Sequence, residues 1–314
     1  MTRQSLGLSH AGPAVAAVLV ALLPGHLAAQ PAPLAGRIVP TDPSAYRPLT
    51  AVHAGAGNMA FASLLGRGAI GPHFNFLHRG EIPARSGIGH HFHNTVEEMF
   101  VILDGEAQFT INGRTARLAG PAAVVCRMGD SHAILNTGTG TLQWMNFQAS
   151  SIAGVGDAFD LGDDRTSAAV DPVPTFIHSR LDRALIRPAG TRTGGGAAAP
   201  PVPTWVTSRR LFAPTVFRSA WAYVDHLLIA PGASTPENAH ESLGEAYYVL
   251  AGSGTVKVGA ETAPLRRWNA IPVTVGEVSS FTNTGAEPLE LLVVAVARDM
   301  EAKAALVRGT AALK

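Results

Sequence analysis

Slid along itself by 147 positions, the chain falls into register with its own second half: His93 lands on His240, Glu98 on Glu245, Leu103 on Leu250, Gly105 on Gly252 and Gly129 on Gly276. The same shift carries Asn136-Thr137-Gly138 onto Asn283-Thr284-Gly285, and it holds without a gap from Phe74 and Trp221 to Leu142 and Leu289. A repeat of this length means two copies of one structural unit. Each copy reads as short β-branched or aromatic runs, such as FVILDGEAQFTI (Phe100–Ile111) and LELLVVAVA (Leu289–Ala297), cut by Gly, Pro and Asn. The 33 Gly and 22 Pro supply the turns. Short strands with frequent turns predict an all-β sandwich or barrel, made twice. Helical signals gather only near the end, where Asp299 precedes Met300–Val307 as an N-cap.

The run TRTGGGAAAPPVP (Thr191–Pro203) is low in complexity and reads as the linker between the copies. Near the start, Arg3, the apolar AVAAVLVALL (Ala14–Leu23), Pro24, Gly25 and Leu27-Ala28-Ala29 follow the order of a secretory signal with its cleavage point. That apolar run is far shorter than the roughly 20 residues a membrane span needs. The expected organisation is a signal peptide at 1–29, a first domain at 30–190, a linker at 191–203 and a second domain at 204–314. The mature protein is then exported, periplasmic or secreted, with no membrane span. Lys+Arg 24 against Asp+Glu 23 leave a formal charge of +1, which excludes a nucleic-acid partner held by phosphate neutralisation. One cysteine, Cys126, excludes an internal disulfide and a Cys-rich zinc module, and reads as a buried structural thiol.

The first copy carries Gly89-His90-His91-Phe92-His93, then Glu98 and Gly105, and later Gly129-Asp130-Ser131-His132 with Asn136. Side chains alternate faces along a strand, so His91 and His93 project together while His90 and Phe92 project oppositely. A carboxylate five residues on and an imidazole from a later strand can then converge with them inside a barrel. Three neutral imidazoles and a carboxylate suit one divalent transition metal: Mn, Fe, Co, Ni, Cu or Zn. Glu97 falls on the other face from Glu98 and reads as a structural or exposed neighbour.

These residues resemble the cupin superfamily. Its first motif, a Gly, HxH, Glu and Gly, matches His91, His93, Glu98 and Gly105, and its second matches Gly129, His132 and Asn136, with Arg127 where the family has proline. The resemblance covers both copies and implies a bicupin: two tandem jelly-roll β-barrels joined by the Gly/Pro/Ala-rich linker, with a short C-terminal helix. It implies His91, His93, Glu98 and His132 as metal ligands. The second copy departs from it, with Asn238 opposite His91 and Ser279 opposite His132, so only His240 and Glu245 remain there. That barrel is expected to keep the fold without the metal, while Asn238, His240, Glu245 and Ser279 form a polar pocket suited to a hydroxylated ligand.

Four ligands leave a five- or six-coordinate metal open to water, dioxygen or substrate. Within the resemblance, three classes of function follow: a dioxygenase acting on a small enolic, catecholic or flavonoid-like chelator, with Glu98 as ligand and base; an isomerase or lyase on a carbohydrate derivative; and an exported binding protein without catalysis. Oxalate decarboxylation is disfavoured, because Ile88 stands where those bicupins carry an arginine and because the second site is broken. Candidates for contact with a small-molecule substrate are Phe74, Phe76, His78, Arg79, Arg127, Trp144 and Asn146, although Phe74, Phe76 and Trp144 equally suit inter-sheet core. A homo-oligomer is compatible with such a chain.

Overall fold

The computed structural model describes residues 32–188, 205–239 and 241–311. The expected signal peptide, the linker and His240 lie outside the described residues, while Pro33–Lys314 forms one compact unit. Its first strands are β1 (Val39–Pro40), β2 (Arg47–Thr50), β3 (Asn58–Leu65), β4 (Phe74–Ile82), β5 (Gly87–Phe92), β6 (Val96–Ile102) and β7 (Glu106–Ile111). There follow β8 (Arg114–Ala119), β9 (Ala122–Cys126), β10 (His132–Leu135), β11 (Leu142–Ser150), β12 (Phe159–Asp160) and β13 (His178–Arg180). A seven-stranded sheet, β13-β9-β6-β11-β4-β3-β2, faces a five-stranded one, β12-β5-β10-β7-β8, and every pairing is antiparallel. Ile82, Phe100, Phe109, Val124 and Trp144 fill the space between the sheets.

The second copy repeats the plan with β14 (Arg187–Pro188), β15 (Val206–Phe212), β16 (Trp221–Ile229), β17 (Asn238–Ala239), β18 (Leu243–Ala251), β19 (Ser253–Val258), β20 (Glu261–Arg266), β21 (Asn269–Val273), β22 (Val278–Asn283) and β23 (Leu289–Ala297). Its sheets are β1-β21-β18-β23-β16-β15-β14 and β17-β22-β19-β20, around a core that includes Val256, Ile271, Phe281 and Leu291. The two seven-stranded sheets meet through their outer faces, where Leu77, Met99, Met145 and Phe147 join Trp221, Tyr248, Leu292 and Val294 in one cluster. Glu97 serves this junction: it is fully buried and accepts from the backbone N–H groups of Arg218 and Ser219 and from Ser219 Oγ at 2.6 Å. The expected C-terminal helix is α2 (Met300–Ala311), with Asp299 Oδ1 accepting from Ala302 N at 2.7 Å.

The lead-in segments are exchanged. The short helix α1 (Leu34–Arg37) and β1 precede the first barrel in sequence but belong to the second: Val39 pairs with Ala270, Leu34 sits in the second core, and Arg37 meets Glu277 at 2.7 Å. The chain then turns through a single 3-10 turn capped by Asp42 into β2 of the first barrel. Reciprocally, β13 pairs with β9 of the first barrel, and a turn capped by Asp182 leads into β14 of the second. The residues expected at 30–190 therefore do not all serve one barrel, because each barrel borrows an edge strand from the other's lead-in.

Candidate metal centre

His91 on β5 pairs with His132 on neighbouring β10. His93 lies just past the end of β5, and Glu98 comes from β6 in the facing sheet. One ligand atom from each of the four lies within 4.8 Å of the others, and all four residues are buried. Each ring is steered from behind: Nδ1 of His91 meets Gly89 O at 2.8 Å, that of His93 meets Asp157 O, and that of His132 meets Asp130 O at 3.4 Å. A carbonyl can only accept, so Nδ1 carries the hydrogen and Nε2 is turned toward the centre, the arrangement a metal-ligating histidine needs. His93 Nε2 is buried with no hydrogen-bond partner. A cation at the centre would satisfy that atom, and the donor set fits a divalent transition metal.

The protonation states of His91 and Glu98 suit the same purpose. Burial above all pushes His91 down to about 2, so it is neutral. Burial alone would raise Glu98, but His132 and His93 outweigh it and hold the carboxyl well below its ordinary range. Gln148 Nε2 donates to Glu98 Oε1 at 2.7 Å, and Asn75 Nδ2 donates to Gln148 Oε1 at 2.8 Å, so the carboxylate is oriented by a buried amide relay.

A cavity of about 440 Å³ opens onto His91, His93 and Glu98. Phe61, Phe76, Phe100, Trp144, His53 and His78 give it aromatic walls, and Arg67, Asn146 and Gln148 give it polar points. His78 is stacked on Phe76 at 3.8 Å and on Phe61 at 4.5 Å, and burial lowers it to about 4. It therefore presents a neutral imidazole. Four of the seven candidate substrate contacts, Phe76, His78, Trp144 and Asn146, line this cavity.

Arg127 does not line it: its Nε is paired with Asp130 Oδ2 at 3.1 Å. Phe74 and Arg79 also point elsewhere. Residues 74 and 76 oppose the consecutive residues 149 and 148, so the bulge at Asn75 turns Phe74 onto the outer face. Arg79, one residue from His78, faces outward by simple alternation and hydrogen-bonds Tyr248 Oη at 3.3 Å in the junction between barrels. His90 is half-buried and bonds Ser131 Oγ at 2.9 Å. Cys126 is buried, and burial pushes its thiol up, as a structural cysteine requires.

Residues that motif reasoning passed over also shape the site. Ala51, His53 and Ala54 all have left-handed backbones, with φ of 51°, 52° and 58°. This strained turn lays His53 flat on His91, with ring centres 3.8 Å apart and planes 12° from parallel, and His53 Nδ1 meets Asp160 Oδ1 at 2.5 Å. The close approach requires glycine at position 89, since a Cβ there would lie 2.0 Å from His53 O.

In the second barrel, Asn238 pairs with Ser279 on the rung matching His91 and His132. Glu245 keeps the place of Glu98, pairing with Ala295 as Glu98 pairs with Gln148. Its oxygens accept from Tyr223 Oη at 2.6 Å and from Tyr247 Oη.

Comparison with known proteins agrees with this geometry. The Cupin domain family matches residues 78–147 and again 226–295. The chain is 31% identical over 91 residues to an oxalate-binding protein of Thermotoga maritima, a match covering 29% of this chain and 75% of that one. Similar folds include salicylate 1,2-dioxygenase from Pseudoaminobacter salicylatoxidans, solved with gentisate, at TM-score 0.56 and 17% identity over 74% of this chain and 71% of that one. Oxalate decarboxylase from Bacillus subtilis follows at TM-score 0.55 and 16% identity, over 83% and 76% of the two chains. With two matched repeats, two jelly-roll barrels and a histidine-carboxylate cluster in the first, the chain belongs to the cupin superfamily and is a bicupin.

Proposed function

We propose that this bicupin is an exported metal-dependent dioxygenase acting on a small aromatic or enolic compound whose adjacent oxygens chelate the metal. The observation that carries the reading is the cavity, which combines the open side of the four-ligand cluster with a wall of Phe61, Phe76, Phe100 and Trp144. Aromatic walls with a few placed polar groups suit a planar substrate. A metal held by His91, His93, Glu98 and His132 supplies Lewis-acid and redox chemistry. The protein's own residues do the rest. Phe76 and Trp144 clamp the ring, the Asn146 amide meets a ring oxygen, and His78 offers a neutral imidazole at the wall. Glu98, fixed by Gln148, takes the substrate's hydroxyl proton. The fold likeness to salicylate 1,2-dioxygenase agrees with this choice.

The likeness to an oxalate-binding protein favours a second reading, binding of a small dicarboxylate, with Arg67 at the wall as its anchor. Oxygen uptake distinguishes the two. Metal-loaded protein is given gentisate, catechol, a flavonol or oxalate in an oxygen electrode, with a parallel anaerobic arm. Dioxygen consumed in step with loss of an aromatic or flavonol substrate is expected. Equal turnover under nitrogen would replace the oxygenase with an isomerase or lyase, and binding of oxalate without turnover would replace it with the dicarboxylate reading.

A further inference from the structure

We infer that the second barrel is a metal-independent binding site for a neutral polyhydroxylated ligand of sugar-ring size, held by Glu245, Asp225 and Asn238 against the faces of Tyr247 and Phe281. A barrel kept only as scaffold would fill its interior with apolar side chains, since a buried polar group without good partners costs about 1 to 3 kcal/mol. At four wall positions this one changes the other way, although Val293 and Ala295 replace Asn146 and Gln148. At the positions of Phe61, Phe76 and Phe100 in the first barrel, the second carries Ser208, Tyr223 and Tyr247, and at that of His78 it carries Asp225. All four line a cavity of about 250 Å³ together with Asn238, Glu245, Ser279 and Phe281.

The chemistry of the walls selects the ligand. The charge of Asp225 is met by Arg210, whose guanidinium also lies 4.0 Å from the centre of the Tyr223 ring. Glu245 receives two phenol O–H groups where Glu98 faces imidazoles. Both carboxylates thus have protein donors, and the pocket does not need a cation to be buried stably. Carboxylate oxygens accept more than one hydrogen bond each. Acceptor-rich walls beside aromatic faces suit a ligand that presents several hydroxyl groups and an apolar ring face.

The test uses full-length His91→Ala protein, treated with chelator so that the first site is disabled, and saturation-transfer NMR with D-glucose, D-galactose, D-xylose and myo-inositol. At least one of the four is expected to show transfer, and Asn238→Leu and Tyr223→Phe, each made on that background, are expected to weaken its binding at least tenfold. Asn238 is only half-buried, so its variant keeps the test valid if Tyr223→Phe fails to fold. The inference is overturned if none of the four shows transfer, if binding survives Asn238→Leu unchanged, or if the His91→Ala protein retains a metal ion in the second barrel. None of these outcomes touches the oxygen-uptake test of the first barrel.

Discussion

Gln148 and Glu98 form a buried pair in which the amide Nε2 donates to carboxylate Oε1 at 2.7 Å, directly across the strand ladder joining β11 and β6. Groups that orient a metal-ligating residue typically contribute 10- to 100-fold in metal affinity. Gln148→Leu is therefore expected to weaken metal binding by about that factor while leaving the fold intact. Competition with a chelator of known affinity measures the loss. An unchanged affinity would mean that Glu98 is held well enough by its histidine neighbours.

One metal ion per chain is expected, bound in the first barrel. Elemental analysis of wild-type protein should give a ratio near one, and His91→Ala and His132→Ala should each abolish it. Two ions per chain, one of them surviving His91→Ala, would place a ligand set in the second barrel.

Lys303 on α2 makes stability depend on alkaline pH. Burial pushes its ammonium down to about 8, partly offset by the charge of Glu97, and its Nζ donates to Trp221 O. In the unfolded chain a lysine titrates near 10.4. Between the two values the unfolded state binds more protons, so stability rises with pH through this window; below pH 8 the full penalty, at most roughly 3 kcal/mol, applies. Lys303→Met should lack this rise. Urea denaturation of both proteins should show the variant's advantage shrinking between about pH 8 and about pH 10, and a constant difference would refute the assignment.

Export is tested at the N-terminus of protein recovered from its native host. Cleavage after Ala29, leaving Gln30 first, is expected; an intact Met1 in the cytoplasmic fraction would rule it out.

Much of this was legible in the sequence because it obeys simple periodicities. The 147-residue shift exposed two barrels, and strand alternation with motif spacing brought His91, His93, Glu98 and His132 together. What escaped did so for definable reasons. The lead-in segments also repeat, with TDPSAYRP (Thr41–Pro48) answering LDRALIRP (Leu181–Pro188), but at a shift of 140. Seven residues of loop difference hide this from a search at one offset. Phe74, offered both as a substrate contact and as core, lies on the outer face because a bulge inverts the alternation there. His53, Gln148 and Asp157 reach the cluster from a left-handed turn, a distant strand and a loop, and no local spacing announces such contacts. Arg127 was misplaced because its motif position says where the chain passes, while Asp130 decides where the side chain goes.

The exchange of β1 and β13 bears on how such a chain can change over generations. A duplicated half that loses its chemistry is ordinarily free to decay, but here the second barrel covers the outer face of the first barrel's large sheet, and the two are tied by crossing lead-ins. Selection on the metal centre therefore also constrains Trp221, Tyr248, Leu292 and Val294, none of which approaches it. Asn238 and Ser279 line the second barrel's own cavity and take no part in that shared apolar cluster.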